Sequence, residues 1–424
     1  MKWEIVKLGD HLDFSTGPAF KSKDFTTNPD DMPLVKGENI GFGNILWKKS
    51  KYYPIDEANY YQKFFLKPSD IVLAMDRPWV KGGLKFGWIK ENDPQGLLVQ
   101  RVALLRGING LNQNFLRYIV LSPDFTNYLK SMQGGVGVPH ISGGDIKNYQ
   151  FELPPLPYQK KIASILSAYD NLIENNLRQI ELLEEAAQRI YQEWFVQLRF
   201  PGFEEVEMVD GLPIGWEKVR LGELIDYFIG GGWGKEEYSS PFVEDAFVIR
   251  GTDMNKIMKG NLSNVPYRFH KPSNLKSRKL IENDIVFEVS GGSGNSGVGR
   301  VLFITPELLT QFNSDVMCAS FCKLVRPKEG YGSYLFQVLN FMKKVRLIEV
   351  FEIYSASNIV NFNFTAFLKH QKIIKPDEKT MTKFNSLSSE IYKKISIISS
   401  QNQTLQEARD ILLPRLMNGT ITAS

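Results

Sequence analysis

Apolar positions recur along this 424-residue chain in two different rhythms, and the change of rhythm marks its parts. From Tyr158 they fall three and four apart, at Ile162, Leu166, Tyr169, Ile173, Ile180, Leu183, Ala187, Ile190 and Trp194, with Asn176 filling the one gap. That is a heptad seam, and it predicts a long helix that packs on another helix. The same rhythm returns at Phe384, Leu387, Ile391, Ile395, Ile398, Leu405, Ala408, Leu412 and Leu416, again with one asparagine, Asn402. A helix of about 40 residues is about 60 Å long, more than a neighbouring domain needs for its own core, so each seam predicts the other as its partner. The expected pairing residues are Ile162, Leu166, Ile173, Asn176, Ile180 and Leu183 against Ile391, Ile395, Ile398, Asn402, Leu405 and Leu412. The two asparagines either lie on a partly wet seam or fix its register. Pro154, Pro155 and Pro157 precede the first seam and Pro376 the second, where an extended chain must turn abruptly into helix. Pro414 should end or kink the second helix near its last turn.

Outside the seams the apolar runs are short. Residues 70–74, 99–105, 284–289 and 298–305 are rich in β-branched and aromatic residues and bounded by Gly, Pro, Asn or Ser, which predicts strands. Residues 114–131 and 331–349 carry apolar positions three and four apart and predict helices. These stretches repeat one another. Trp3-Glu4-Ile5-Val6-Lys7-Leu8-Gly9-Asp10 returns as Trp216-Glu217-Lys218-Val219-Arg220-Leu221-Gly222-Glu223, Val35 to Ile40 answers Ile249 to Met254, and Leu66 to Val72 answers Leu280 to Val286. The expected architecture is α/β: two repeated mixed, strand-rich domains over residues 1–157 and 200–375, separated by two long helices, 158–199 and 376–424 with its tail. A duplicated unit has an approximate two-fold axis, so the helices should pair antiparallel as a coiled coil. Two-fold binders suit two-fold targets, of which duplex DNA is the commonest.

Charge refines this reading without deciding it. The 51 Lys and Arg against 47 Asp and Glu leave a net charge of +4, which neither demands nor excludes nucleic acid. Between 250 and 280, however, eight basic residues face one acid, and Arg77, Lys81, Lys85 and Lys90 form a milder run in the first copy. Each run lies beside a Gly-containing segment, a placement that points to phosphate contact. The candidate DNA-binding residues are Lys36, Asn39, Arg77, Trp79, Lys81 and His140 in the first copy. In the second they are Arg250, Asp253, Asn255, Asn295, Ser296, Arg300, Ser357 and Asn358. Arg and Asn can make bidentate contacts to base edges, whereas Lys more often holds phosphate; Trp79 suits the domain core equally well.

Other chemistry finds little support. Gly292 to Gly297 satisfies G-x-G-x-x-G, but a strand rather than a helix should follow it, so the loop reads as a hairpin connection and not a dinucleotide site. Gly134-Gly135-Val136-Gly137 likewise lacks a following helix. Leu153-Pro154-Pro155-Leu156 has leucine where the catalytic loop of amino-methyltransferases needs Asn, Asp or Ser, and Ser290 replaces the lysine that a nuclease pattern around Asp284 and Glu288 would need. His11, His140, His270 and His370 have no metal-ligand spacing, and Cys318 and Cys322 fit strand packing better than metal. Neither a catalytic site, a metal nor a cofactor is expected. With two cysteines, an N-terminus lacking the apolar stretch of a signal peptide and no apolar run near 18 residues, the expectation is a soluble, cytoplasmic protein.

The order of parts (domain, long helix, repeated domain, repeated long helix) resembles the DNA-specificity subunits of type I restriction-modification systems over essentially the whole chain. The residues that carry the resemblance are the two domain openings, the segment Val35 to Ile40, the junction Leu153 to Ala163 (LPPLPYQKKIA) and Trp194 to Gly202 (WFVQLRFPG). The second junction, Lys375-Pro376-Asp377-Glu378-Lys379, departs from the pattern in lacking the double proline and the glutamine. The resemblance implies a non-catalytic subunit whose two target recognition domains each read one half of a split sequence in double-stranded DNA, with the helices as a ruler. It also implies two methyltransferase subunits, which bind S-adenosylmethionine, and a restriction subunit as partners. The alternatives are a self-contained DNA methyltransferase or nuclease, which would methylate or cleave DNA alone, and a coiled-coil interaction scaffold, which would not bind DNA in a salt-sensitive way.

Overall fold

The octapeptide that opens each repeat folds alike in both copies. In the computed structural model, which describes residues 3–80, 83–132, 139–293, 297–354 and 359–421, Glu4–Lys7 and Glu217–Arg220 are strands that run straight into 3-10 turns, Leu8–His11 and Leu221–Leu224. The first leucine of each turn is buried, and its N–H donates to a carbonyl late in the same domain, Leu8 to Tyr149 and Leu221 to Gln371, each at 2.8 Å. Glycine follows because the chain passes close by: a Cβ on Gly9 would lie 2.8 Å from that of Lys147. The opening strands pair antiparallel with the last strands of their domains, Gln150–Leu153 and Lys372–Lys375, so each domain is closed at the point where a long helix leaves it.

Between these closures the two copies share one topology. The first has a four-stranded sheet in the order Leu12–Thr16, Val102–Gly107, Ile71–Ala74, Phe86–Trp88, and the second repeats it with Ile225–Gly230, Cys322–Pro327, Ile285–Glu288 and Val301–Phe303. A three-stranded sheet accompanies each. Met32–Val35 lies between an antiparallel and a parallel neighbour, as does Glu244–Ile249. Even the buried ion pair is duplicated: Arg106 grips Asp70 at 2.6 and 2.7 Å, and Arg326 grips Asp284 at 2.8 and 2.8 Å. Cys318 and Cys322 are buried free thiols in strands of the second domain.

Several expected elements differ in extent. The helix expected over 114–131 is two, Gln113–Leu121 and Pro123–Ser131, because Pro123 cannot donate to the first while Ser122 caps the second through the N–H of Phe125. The helix expected over 331–349 stops at Lys344, before Arg346 takes a positive φ of 65°. The strand expected over 99–105 begins only at Val102, since Arg101 is left-handed with φ of 62°.

The long helices are Leu156–Tyr191, continued by a π-helical turn over Gln192–Val196, and Glu378–Met417, which carries Pro414 inside its last turn. Their entries use different devices. Gln159 is buried and binds the first domain, donating to Gly110 O and Pro154 O and accepting from Asn112 N. At the second junction, where that glutamine is missing, Asp377 accepts from Thr380 N and Thr380 Oγ1 and from the indole of Trp216 at 2.7 Å. The chain divides into two units, Met1–Asp170 with Glu407–Ser424, and Asn171–Gln406, and both helices contribute to each. In the first unit Ile162 and Leu166 share a core with Leu413 and Leu416, while Asp170 pairs with Arg409. In the second, Trp194 packs on Phe384, and Ile180 shares a core with Ile395 and Ile398. Early residues of one helix meet late residues of the other, so the segments are antiparallel within each unit.

Of the expected seam, Ile162, Leu166, Ile173, Asn176, Ile180, Ile395, Ile398 and Asn402 are buried, and Leu183, Ile391 and Leu412 are partly buried against cores. Leu405 is half-buried, and Leu387 is exposed, replaced by Ser388. The reason is a second contact face: Ser396 and Ser399 also turn inward, bonding Thr305 Oγ1 at 2.8 Å and Met258 O at 2.6 Å in the second domain. Gly260 is required there, because with φ of +79° any Cβ would come within 2.1 Å of Ser399 O. Among the described residues, no helix is long and apolar enough to cross a membrane.

One residue beside the seam, Glu184, makes stability pH-dependent. Burial raises the Glu184 carboxyl to about 7, with Lys259 only partly offsetting it. The folded value lies above the unfolded one, so the fold retains the proton. This contribution is fully present below the unfolded value of roughly 4.3 and is lost as pH rises towards 7. Glu184→Gln should therefore be more stable than the parent by about 1 to 3 kcal/mol at pH 8 and close to it at pH 4. Urea unfolding at the two pH values measures this; equal differences at both would contradict it.

Candidate nucleic-acid interface

At one end of the first domain's four-stranded sheet, where Ile71–Ala74 finishes and Phe86–Trp88 and Val102–Gly107 begin, a cleft is lined by Gly37, Glu38, Asp76, Arg77, Lys85 and Arg101. Two arginines are presented there from left-handed backbone, Arg77 with φ of 45° and Arg101 with φ of 62°, conformations uncommon for residues with a Cβ. Backbone hydrogen bonds hold both: Arg77 N donates to Pro139 O, and Arg101 O accepts from Met75 N, each at 2.9 Å. Asp76 sits between them, bonded to Arg101 Nη1 at 2.5 Å and to His140 Nδ1 at 2.6 Å. Burial opposes its charge, but His140 and Arg101 outweigh it and hold the carboxyl below the usual range. The side chain of Arg101 is 69% exposed, so its pairing with Asp76 orients it without removing it from solvent.

The expected first-copy residues divide. Arg77 and His140 are exposed at or beside the cleft. Lys36 is half-buried, paired with Glu38 at 2.9 Å and lying over the ring of Phe25. Asn39 does not fit a reading role: it is 1% exposed, donates to Leu34 O and Ser50 Oγ, and accepts from Lys36 N, leaving no free edge for a base. Trp79 packs against the domain core beneath Lys130. Lys81 lies outside the described residues, as do Asn295, Ser296, Ser357 and Asn358.

In the second domain the same places are built with different chemistry. Shared backbone bonds set the correspondence. Ala74 N donates to Lys85 O as Glu288 N does to Arg300 O, and Met75 N donates to Arg101 O as Val289 N does to Phe321 O. Lys36 likewise matches Arg250, since Lys36 N binds Asn39 Oδ1 as Arg250 N binds Asp253 Oδ2. The expected readers Arg250, Asp253 and Arg300 are, however, scaffold. Arg250 holds the buried Asp253 at 2.7 and 2.8 Å and adds Asn264 O; Arg300 holds the buried Glu288 through Nε at 2.8 Å and through Nη2. The bond to its acid raises the pKa of each arginine and fixes its guanidinium, with Nη1 left as the donor that is not engaged with the acid. Asn255 is exposed, in the short helix Met254–Ile257. Arg101 and Phe321, which were not among the expected residues, occupy equivalent places once the copies are aligned on their common strands.

Two copies of one scaffold, each presenting its own side chains at one end of its sheet and each packed with segments of both long helices, define a duplicated α/β protein. Residues 1–185 match the family described as type I restriction modification DNA specificity domain. The chain is 35% identical over 189 residues to the type I restriction enzyme MjaVIII specificity subunit of Methanocaldococcus jannaschii, an alignment covering 44% of each protein. It is 27% identical over 327 residues to the MjaIX specificity subunit of the same organism, covering 74% of this chain and 70% of the relative. The match thus spans less than half the length of the first relative. The fold is that of the type I restriction-modification system S subunit from M. genitalium, with a TM-score of 0.54 at 14% identity over 98% of this chain and 96% of that one.

Proposed function

We propose that this chain is the sequence-specific DNA-binding subunit of a type I restriction-modification system. Each domain reads one half of a bipartite duplex target, and the long helices set the unread gap. The observation that carries this reading is the repetition of one sheet end with different side chains: cations at Lys85 and Arg101 in the first domain, a neutralised Arg300 and an aromatic Phe321 in the second. A common scaffold with divergent ends suits two different half-sites. The subunit does no chemistry itself; it brings two methyltransferase subunits, which bind S-adenosylmethionine, and a restriction subunit to the site. The names of its relatives as specificity subunits support this division of labour.

The test is a domain exchange. The first domain, taken through Pro155 with Gln159 kept because Gly110 and Asn112 bind it, is replaced by the matching domain of a relative. The bound motif is then selected from randomised duplexes in the presence of methyltransferase subunits. One half of the motif should change and the other stay. A change in both halves, or in neither, would refute independent reading.

A further inference from the structure

The position that Arg101 occupies in the first domain belongs to Phe321 in the second, and among the described residues no aromatic or cationic partner engages the Phe321 ring. It is 62% exposed at the tip of the turn between the strands Asp315–Cys318 and Cys322–Pro327, where only its carbonyl works, accepting from Val289 N and Ser290 N. Any residue could supply that carbonyl. Its surroundings differ from the first domain's as well. Where the first cleft holds Asp76 and Arg77, the second has Ser290 and Gly291, and Ser290 Oγ donates to Asn361 Oδ1 across to the neighbouring strand Ile359–Phe362. The cation at the place of Lys85 is Arg300, already held by Glu288. The end of the sheet around Phe321 therefore offers an apolar face flanked by neutral polar groups, where the first domain offers guanidinium and ammonium groups.

We infer that Phe321 is a specificity-determining residue of the second domain that contacts the apolar part of a base in duplex DNA, while Arg101 at the equivalent place contacts phosphate or a guanine edge. This rests on the DNA-reading function proposed above. A phenyl ring carries no charge to exchange for counterions and no donor to match a base edge. What it can meet is a thymine methyl in the major groove or the face of a partly unstacked base. Arg101 acts by charge, so its contribution is screened by salt. At this pair of equivalent positions the two half-sites are thus met by different physics, and the salt-sensitive contact of the pair should be the one in the first domain.

The experiment selects bound sequences from a randomised duplex pool using the full chain with its methyltransferase subunits, and measures affinity for the selected duplex across salt concentrations. Phe321→Ala should lose discrimination at one or two positions of one half-site, bind the parent duplex about tenfold more weakly and keep the parent's salt slope. Phe321→Trp, which keeps an aromatic face, should retain the motif. Arg101→Ala should lower the salt slope by about one unit and leave the half-site affected by Phe321→Ala unchanged. An unchanged motif and affinity in Phe321→Ala would overturn the inference while leaving the DNA-reading function intact. A parent chain that selects no motif at all would overturn both.

Discussion

Four helix-forming residues inserted between Asp170 and Asn171, together with four between Gln406 and Glu407, should widen the unread gap of the target by one or two base pairs and leave both half-sites intact. These are the points at which the chain passes from one unit to the other, and each lies within a long helix. Four residues add about 6 Å and turn the helix by a further 40° or so. The length is just under the rise of two base pairs at 3.4 Å each, and the rotation is close to the roughly 34° of one. Both helices must be lengthened. Asp170 meets Arg409 at 2.9 Å in the first unit, and Trp194 meets Phe384 in the second. An insertion near Glu184 in the first helix alone would slip an antiparallel pair out of register inside the second unit, and the damage to its core would obscure any change of gap. Motif selection on the double-insertion variant reads the outcome; an unchanged gap would mean that the helices do not set it.

The largest expected loss of stability from one side chain is at Asp170. Its carboxylate, 10% exposed, accepts from Tyr118 Oη at 2.8 Å, Arg117 Nη2 at 2.9 Å and Arg409 Nη1 at 2.9 Å. It joins the helix Gln113–Leu121 of the first domain to both long helices within that unit. Arg117 cannot simply swing away, because its guanidinium lies 4.2 Å from the ring centroid of Trp88. Removing the carboxylate strands the largely buried guanidinium of Arg117 and the buried hydroxyl of Tyr118, and leaves Arg409 only its pairing with the exposed Asp410. Asp170→Ala should cost about 3 to 5 kcal/mol, the usual penalty for breaking a buried ion pair from one side. Asp170→Asn, which keeps an acceptor for Tyr118 but loses the charge, should fall between the two. Denaturant unfolding measures both, and a loss below about 1 kcal/mol in Asp170→Ala would show that the cluster is solvated and contributes little.

The scaffold was legible in the sequence because the parts that repeat are the parts that close each domain. Leu8 and Leu221 are buried in identical turns, and Asp70 and Asp284 are gripped by arginines from corresponding strands. The long helices could be read from spacing alone, but the extent of the second seam could not. Ser388, Ser396 and Ser399 look like surface residues, yet all are buried. The recognition end of the sheet was the least legible part. Whether an arginine is free depends on partners that composition does not show: Arg300 is taken by Glu288, twelve residues away, and Arg101 is set by Asp76, twenty-five away. Asn39 is bound mostly by its own turn, through Lys36 N and Leu34 O, with Ser50 Oγ brought to it by folding. Arg250 lies in the equivalent turn of the second domain. Its acid lies three residues on, within reach of any turn, and the spacing could have warned that Arg250 and Asp253 would pair with each other.

The central claim is that two independent readers are joined by helices of fixed length, and one measurement addresses it directly. The unmodified chain, with methyltransferase subunits present, is challenged with a pool of fully randomised duplexes, and the enriched sequences are aligned. The account predicts two short constant blocks of different sequence separated by a gap of fixed length, with their centres about one helical turn, on the order of 10 base pairs, apart. A single contiguous block, or two blocks at variable spacing, would contradict it.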